Sequence, residues 1–159
     1  MNTVYLLLGS NLGKSKEQLL QAIKYIEEYI GTVIKFSGLY STAAWGNVKQ
    51  PDFLNQVIVV ETLLHPLVLL KEILAIEKKM GRIRTVKNAA RIIDIDILFF
   101  NNKIIKQKYL TIPHPEIQNR RFVLIPLVEI AGLKIHPVLK KTARELLKIC
   151  PDKLNVQKI

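Results

Sequence analysis

The stretch Arg91-Ile92-Ile93-Asp94-Ile95-Asp96-Ile97-Leu98-Phe99-Phe100 constrains the fold of this chain more than any other. From Ile92 to Phe100 every residue is apolar except two aspartates, which predicts a buried strand over residues 92–100. Residues two apart in a strand project from one face, so Asp94 and Asp96 stand together, about 6–7 Å apart at Cα. Two like charges beside an apolar strand repel each other and are costly to desolvate. Ordinary packing would not select them. Three arrangements answer that cost. The carboxylates can bridge a pair of Mg²⁺ ions whose other ligands are waters and phosphate oxygens. They can pair with arginines in a salt-bridge network. Or metal can serve in the working complex while arginines lie close in the empty protein. No Cys or His lies at zinc-ligand spacing.

Arginines do cluster nearby. Arg82, Arg84, Lys87 and Arg91 precede the aspartates, and Arg120 and Arg121 follow. Guanidinium forks match phosphate oxygens, and a transferring phosphoryl group needs donors on several sides. A basic run alone is more often a solvated loop, and a mobile loop is expected over residues 82–90. Joined to an Asp-x-Asp strand, it points to a nucleotide handled with magnesium. The stretch Gly9-Ser10-Asn11-Leu12-Gly13-Lys14-Ser15 imitates a phosphate-binding loop, but its glycines are separated by three residues where the motif needs four. The alternative is a helix over residues 16–30, with Ser15 and Gln18 as its capping box and Gly31 as its stop. Any bound phosphates should then lie elsewhere.

With 159 residues the chain suits one domain with an ordinary core, and a formal charge of +11 suits an anionic partner such as nucleic acid, a membrane surface or a nucleotide. No apolar run approaches a membrane span, and no signal peptide is visible. The single cysteine, Cys150, suits a small buried hydrophobe, and a reducing cytoplasm is expected.

The patterning predicts strands over residues 4–8, 32–40, 53–62 and 92–100. Helices are expected over 16–30, 66–80 and 122–131, the second opened by Pro66 and closed by Gly81, the third with Pro126 in its first turn. Asn101-Asn102 should turn into a short strand over 103–105, Pro113-His114-Pro115 should bend the chain, and Thr142 with Glu145 should cap a last helix. The order of elements predicts an α+β fold with a ferredoxin-like βαββαβ sheet and extra C-terminal elements.

The stretch Lys87-Asn88-Ala89-Ala90-Arg91-Ile92-Ile93-Asp94-Ile95-Asp96-Ile97-Leu98 resembles the signature of the 6-hydroxymethyl-7,8-dihydropterin pyrophosphokinases. The likeness runs in order from about Val4 to Ala131. It takes in Gly9-Ser10-Asn11-Leu12, Tyr40-Ser41-Thr42, Gln50-Pro51-Asp52-Phe53-Leu54-Asn55, Glu77, Gly81-Arg82-Ile83-Arg84, Pro113-His114-Pro115 and Asn119-Arg120-Arg121-Phe122. Asn88 stands where the family often has tryptophan, the loop is about one residue shorter, and Ala89-Ala90 replaces the common Gly-Pro.

The resemblance implies transfer of pyrophosphate from ATP to the pterin's hydroxymethyl oxygen, with release of AMP. It implies that Asp94 and Asp96 hold two Mg²⁺ ions and that Arg82 and Arg91 steady the transferred group. It places ATP on Glu77, Arg84, Lys87, Ile97, Thr111, His114 and Arg120, and the pterin on Thr42, Ala43, Trp45, Phe53, Asn55 and Phe122. Taken singly, Phe53 and Phe122 suit core positions, Asn55 a strand-edge amide and His114 a rigid bend. A monomer is expected, with neither nucleic acid nor membrane as partner. The rivals are a ferredoxin-like nucleic-acid binder and a different magnesium-dependent nucleotidyl or phosphoryl transferase. The first would display aromatics at stacking spacing on an open sheet face, and Tyr5, Phe36 and Phe99-Phe100 do not form that pattern.

Overall fold

A computed structural model describes residues 1–43, 50–83 and 90–159. Among these residues eight strands and four α-helices follow one another as β1 (Asn2–Ser10), α1 (Ser15–Tyr29), β2 (Gly31–Phe36), β3 (Tyr40–Thr42), β4 (Phe53–Thr62), α2 (Pro66–Lys79), β5 (Asp94–Phe100), β6 (Ile105–Lys106), β7 (Thr111–Ile112), α3 (Arg121–Ala131), α4 (Ala143–Ile149) and β8 (Val156–Lys158). The main sheet runs β5-β1-β4-β3-β8, with β2 pairing the other half of the β4 edge, and every pairing is antiparallel.

The strand expected over residues 32–40 is broken in two. Phe36 pairs with Ile58 and Tyr40 with Asn55, so three residues oppose two across the gap. There the Ser37 hydroxyl accepts from Val57 N at 3.0 Å, and the Gln56 amide donates to Ser37 O at 2.8 Å. Side chains thus satisfy the backbone groups that a regular ladder would pair.

Along β1 the side chains alternate between two cores. Val4, Leu6 and Leu8 meet Leu19, Ile26, Leu69 and Ile73 of α1 and α2, while Leu7 meets Val123, Leu124, Leu127 and Leu146 of α3 and α4. Helices therefore pack on both faces of the sheet. A register shift between Tyr5 and Leu6 leaves Leu98 out of the β5 ladder, and Leu98 and Phe99 both fall in the second core.

Several local expectations are corrected. α1 begins at Ser15, its N-cap is Lys14 with no side-chain cap, and the Ser15 hydroxyl accepts from Ser10 Oγ at 3.2 Å; the Ser15–Gln18 box does not form. Gly31 opens β2 instead of stopping α1. A Cβ there would lie 2.0 Å from the Glu61 carbonyl, so its role is close strand approach. Pro66 does open α2, and Gly81, at φ 90°, follows it. After the turn at Asn101 the chain leaves the main sheet, and the short strand is Ile105–Lys106, paired with β7. Because α3 starts at Arg121, Pro126 sits beyond its first turn. The Thr142–Glu145 capping box forms as expected, and Cys150 is buried and free.

Candidate active site

The floor of the site follows from strand register. Gly9 pairs with Asn55 on one side and Asp94 on the other, and Leu7 pairs with Val57 and Asp96. Two rows of residues thus run across β4, β1 and β5 on one sheet face. α3 and α4 cover that face farther along β1, β4 and β5, through the core that contains Leu7, Val57 and Phe99. Over the Gly9 row an open cleft of about 570 Å³ remains, lined by Gly9, Thr42, Ala43, Phe53, Asn55, Arg91, Asp94, Asp96, Arg120 and Phe122 among others.

Gly9 has a steric reason to be there. A Cβ at that position would come within 2.9 Å of Asn55 Oδ1. Asn55 is buried, and its Nδ2 has no hydrogen-bond partner among the described residues. A buried donor left unpaired is costly, so a ligand acceptor would be well received beside it. Arg91 lies over the Phe53 ring at 5.6 Å and Arg120 over the Phe122 ring at 5.8 Å. The cleft combines aromatic faces with an amide and cations.

Asp94 and Asp96 also line a second cleft of about 820 Å³, with Glu77, Ile97, Tyr109, Thr111 and His114. The two clefts meet at the acidic pair. Asp94 accepts from Arg82 Nη1 at 2.7 Å and from Arg91 Nη1 at 2.9 Å, one arginine on each oxygen. Glu77, on α2, accepts from Arg82 at 2.8 Å and from Ile95 N at 2.8 Å. One buried carboxylate therefore fixes both a guanidinium and the strand that carries the aspartates.

The Asp96 side chain makes no hydrogen bond or ion pair among the described residues, and burial together with the neighbouring Asp94 charge pushes its carboxyl up to about 7 against the opposing pull of Arg120 and Arg82. His114 is pushed down to about 4 by burial and by Arg120. Its Nδ1 accepts from Glu116 N at 3.1 Å, which places the proton of the neutral ring on Nε2. The imidazole is thus a neutral donor near pH 7.

The expected residues divide between the two clefts. Thr42, Ala43, Phe53, Asn55 and Phe122 line the first, and Glu77, Ile97, Thr111 and His114 the second. Arg120, expected with ATP, lines the first cleft, and its charge bears on Asp96 and His114. Trp45, Arg84 and Lys87 lie outside the described residues, as does most of the loop expected over residues 82–90. Asn11, named from the sequence only within the Gly9-Ser10-Asn11-Leu12 stretch, is a buried clamp. Its Oδ1 accepts from Arg91 N at 2.9 Å, while its Nδ2 donates to Gln50 Oε1 at 2.7 Å and Pro51 O at 3.0 Å. No local pattern announces that role, since its partners lie about 40 and 80 residues away.

An acidic pair ringed by arginines, set where two clefts meet, is the layout of a group-transfer enzyme that brings two ligands together. Residues 5–132 match the family described as 7,8-dihydro-6-hydroxymethylpterin-pyrophosphokinase (HPPK). The 2-amino-4-hydroxy-6-hydroxymethyldihydropteridine pyrophosphokinase of Aquifex aeolicus is 42% identical over 145 residues, covering 91% of this chain and 90% of its own length. The Haemophilus influenzae protein of the same name is 43% identical over 138 residues, 86% of each chain. A solved Plasmodium falciparum HPPK-DHPS with pterin and p-hydroxybenzoate shares the fold at TM-score 0.73 and 23% identity, over 92% of this chain and 42% of that one. The chain belongs to the 7,8-dihydro-6-hydroxymethylpterin-pyrophosphokinase family, pyrophosphoryl transferases of folate biosynthesis.

Proposed function

We propose that the chain moves the terminal pyrophosphoryl group of ATP onto the hydroxymethyl oxygen of 6-hydroxymethyl-7,8-dihydropterin. The observation that carries this is the convergence of two chemically different clefts on Asp94 and Asp96. The pterin lies in the first. Phe53 and Phe122 face its flat ring, the Asn55 amide reads its edge as donor and acceptor, and Thr42 and Ala43 add backbone groups. Trp45 joins this group by family resemblance. ATP lies in the second cleft, against Glu77, Ile97 and Thr111, with His114 donating through Nε2 to a phosphate oxygen. Arg120 reaches the phosphates from the first cleft, and Arg84 and Lys87 join it by resemblance.

In the step itself the hydroxymethyl oxygen attacks the β-phosphorus, the bond from that phosphorus to the α,β-bridging oxygen breaks, AMP departs, and the hydroxyl proton is released. Arg82 and Arg91 turn from Asp94 toward the transferring group and meet the charge that builds there. The acidic pair fits magnesium. Its donors are hard oxygens, and burial beside the Asp94 charge makes the ionised form of Asp96 costly, a cost that a bound cation would relieve. Asp94 and Asp96 would hold two Mg²⁺ ions, which supply charge neutralisation to the phosphates and acidity to the attacking hydroxyl.

We read the βαββαβ order as ferredoxin-like, supported by the β5-β1-β4 core of the sheet with β2 and β3 along the far edge of β4. Helices on both sheet faces argue against a base-stacking platform, and no described helix is long and apolar enough to cross a membrane. We take the protein as a cytoplasmic monomer acting on small molecules. Incubation with ATP, Mg²⁺ and the hydroxymethylpterin should yield AMP and a pyrophosphorylated pterin by chromatography, and EDTA should abolish turnover. Release of ADP, or no turnover by well-folded protein, rejects the assignment.

A further inference from the structure

Two segments line the first cleft, and one stretch near the end of the chain holds both. The first segment, β3, pairs with β8 in the register Tyr40 to Lys158, Ser41 to Gln157 and Thr42 to Val156. The Thr42 hydroxyl adds a bond to Asn155 O at 3.1 Å. The second is the start of α3 at Arg121, between the cleft residues Arg120 and Phe122. The first N–H groups of a helix have no partner within it, and Arg120 at the N-cap supplies no side-chain bond. Asp152 supplies it from a distance in sequence. Its Oδ2 accepts from Arg121 N at 3.0 Å and its Oδ1 from Leu154 N at 3.0 Å. A carboxylate is also well placed against the positive end of the helix dipole. Residues 152–158 lie outside the 5–132 span that matches the family.

We propose that residues 152–158 are a positioning element that sets the spacing between the Thr42–Ala43 wall and the Arg120–Phe122 wall, with Asp152 as its principal positioning residue. The segment thereby tunes affinity for the flat heterocycle and leaves the nucleotide cleft alone. None of the residues lining the second cleft lies in residues 152–158. The inference rests on the placement of the pterin in the first cleft.

The test uses the full chain and calorimetry, with the hydroxymethylpterin titrated in the presence of a non-hydrolysable ATP analogue and the analogue titrated alone. Asp152→Ala should weaken pterin binding roughly tenfold, the size of a lost helix cap, with analogue affinity within about twofold. Asp152→Asn keeps an acceptor and should recover most of the loss. Should Asp152→Ala fail to fold, Val156→Pro breaks the β3–β8 ladder, keeps the Asp152 cap, and should show the same selective loss. Unchanged pterin affinity in a folded variant, or equal weakening of both ligands, overturns the proposal. Phe53→Ala separates the two levels. If it weakens pterin binding while Asp152→Ala does not, only the positioning role falls. If Phe53→Ala has no effect either, the placement of the pterin falls with it.

Discussion

The acidic pair divides its burden unequally. Asp94 holds an arginine on each oxygen, while burial and the Asp94 charge push the neighbouring Asp96 up to about 7. An unfolded aspartate titrates near pH ~3.9. Between those values the unfolded chain has lost the proton that the folded chain keeps, so metal-free stability should fall as pH rises from about 4 to about 7. Melting curves in EDTA across that range should show the decline in the native protein and a flatter profile in Asp96→Asn. A native profile as flat as the variant's would contradict the burial effect. Asp94→Asn and Asp96→Asn should each lose several orders of magnitude in rate while remaining folded. Retention of most activity by either would remove the two-metal reading.

Elements place these groups. β5 carries the aspartates, α2 sends Glu77 beneath them to hold Arg82 and Ile95 N, and β1 contributes the side-chain-free Gly9 between Asn55 and Asp94. The junction from β1 to α1 resembles a phosphate loop in composition only. Lys14 is an exposed N-cap, and none of the residues lining either cleft comes from 12–15. Lys14→Ala should change ATP affinity by less than about threefold, whereas Arg82→Ala or Arg91→Ala should each cost about a hundredfold or more in kcat/KM. A large effect at Lys14 with small effects at the arginines would return the phosphates to that loop.

At the scale of the whole molecule, the two clefts draw on different elements and share only the acidic pair and its immediate surroundings. The first is built from β1, β3, β4 and the start of α3, the second from α2, β5, β7 and the His114 bend. Ligand binding should therefore partition by cleft. Asn55→Ala should weaken the pterin about tenfold and leave an ATP analogue within about twofold, and His114→Ala should do the reverse. Equal losses of both ligands in either variant, measured calorimetrically, would merge the two sites.

Interactions over a few residues were legible in the chain itself. An apolar run broken only by two aspartates exposed β5, the two-residue strand period put Asp94 and Asp96 on one face, Pro66 marked the start of α2, and Thr142 with Glu145 marked α4. Each depends on local sterics or on hydrogen bonds within one turn. Elsewhere distant contacts set the outcome. Glu61 demands a glycine at residue 31, Val57 and Gln56 break the strand at Ser37, and Asn11 clamps two loop ends. The register of β1 against β4 and β5 brings Asn55 and Asp94 to either side of Gly9. Asp152 caps a helix that begins 31 residues earlier. Buried backbone groups must find partners wherever the fold supplies them, and one strand cannot carry the information about which neighbours will arrive.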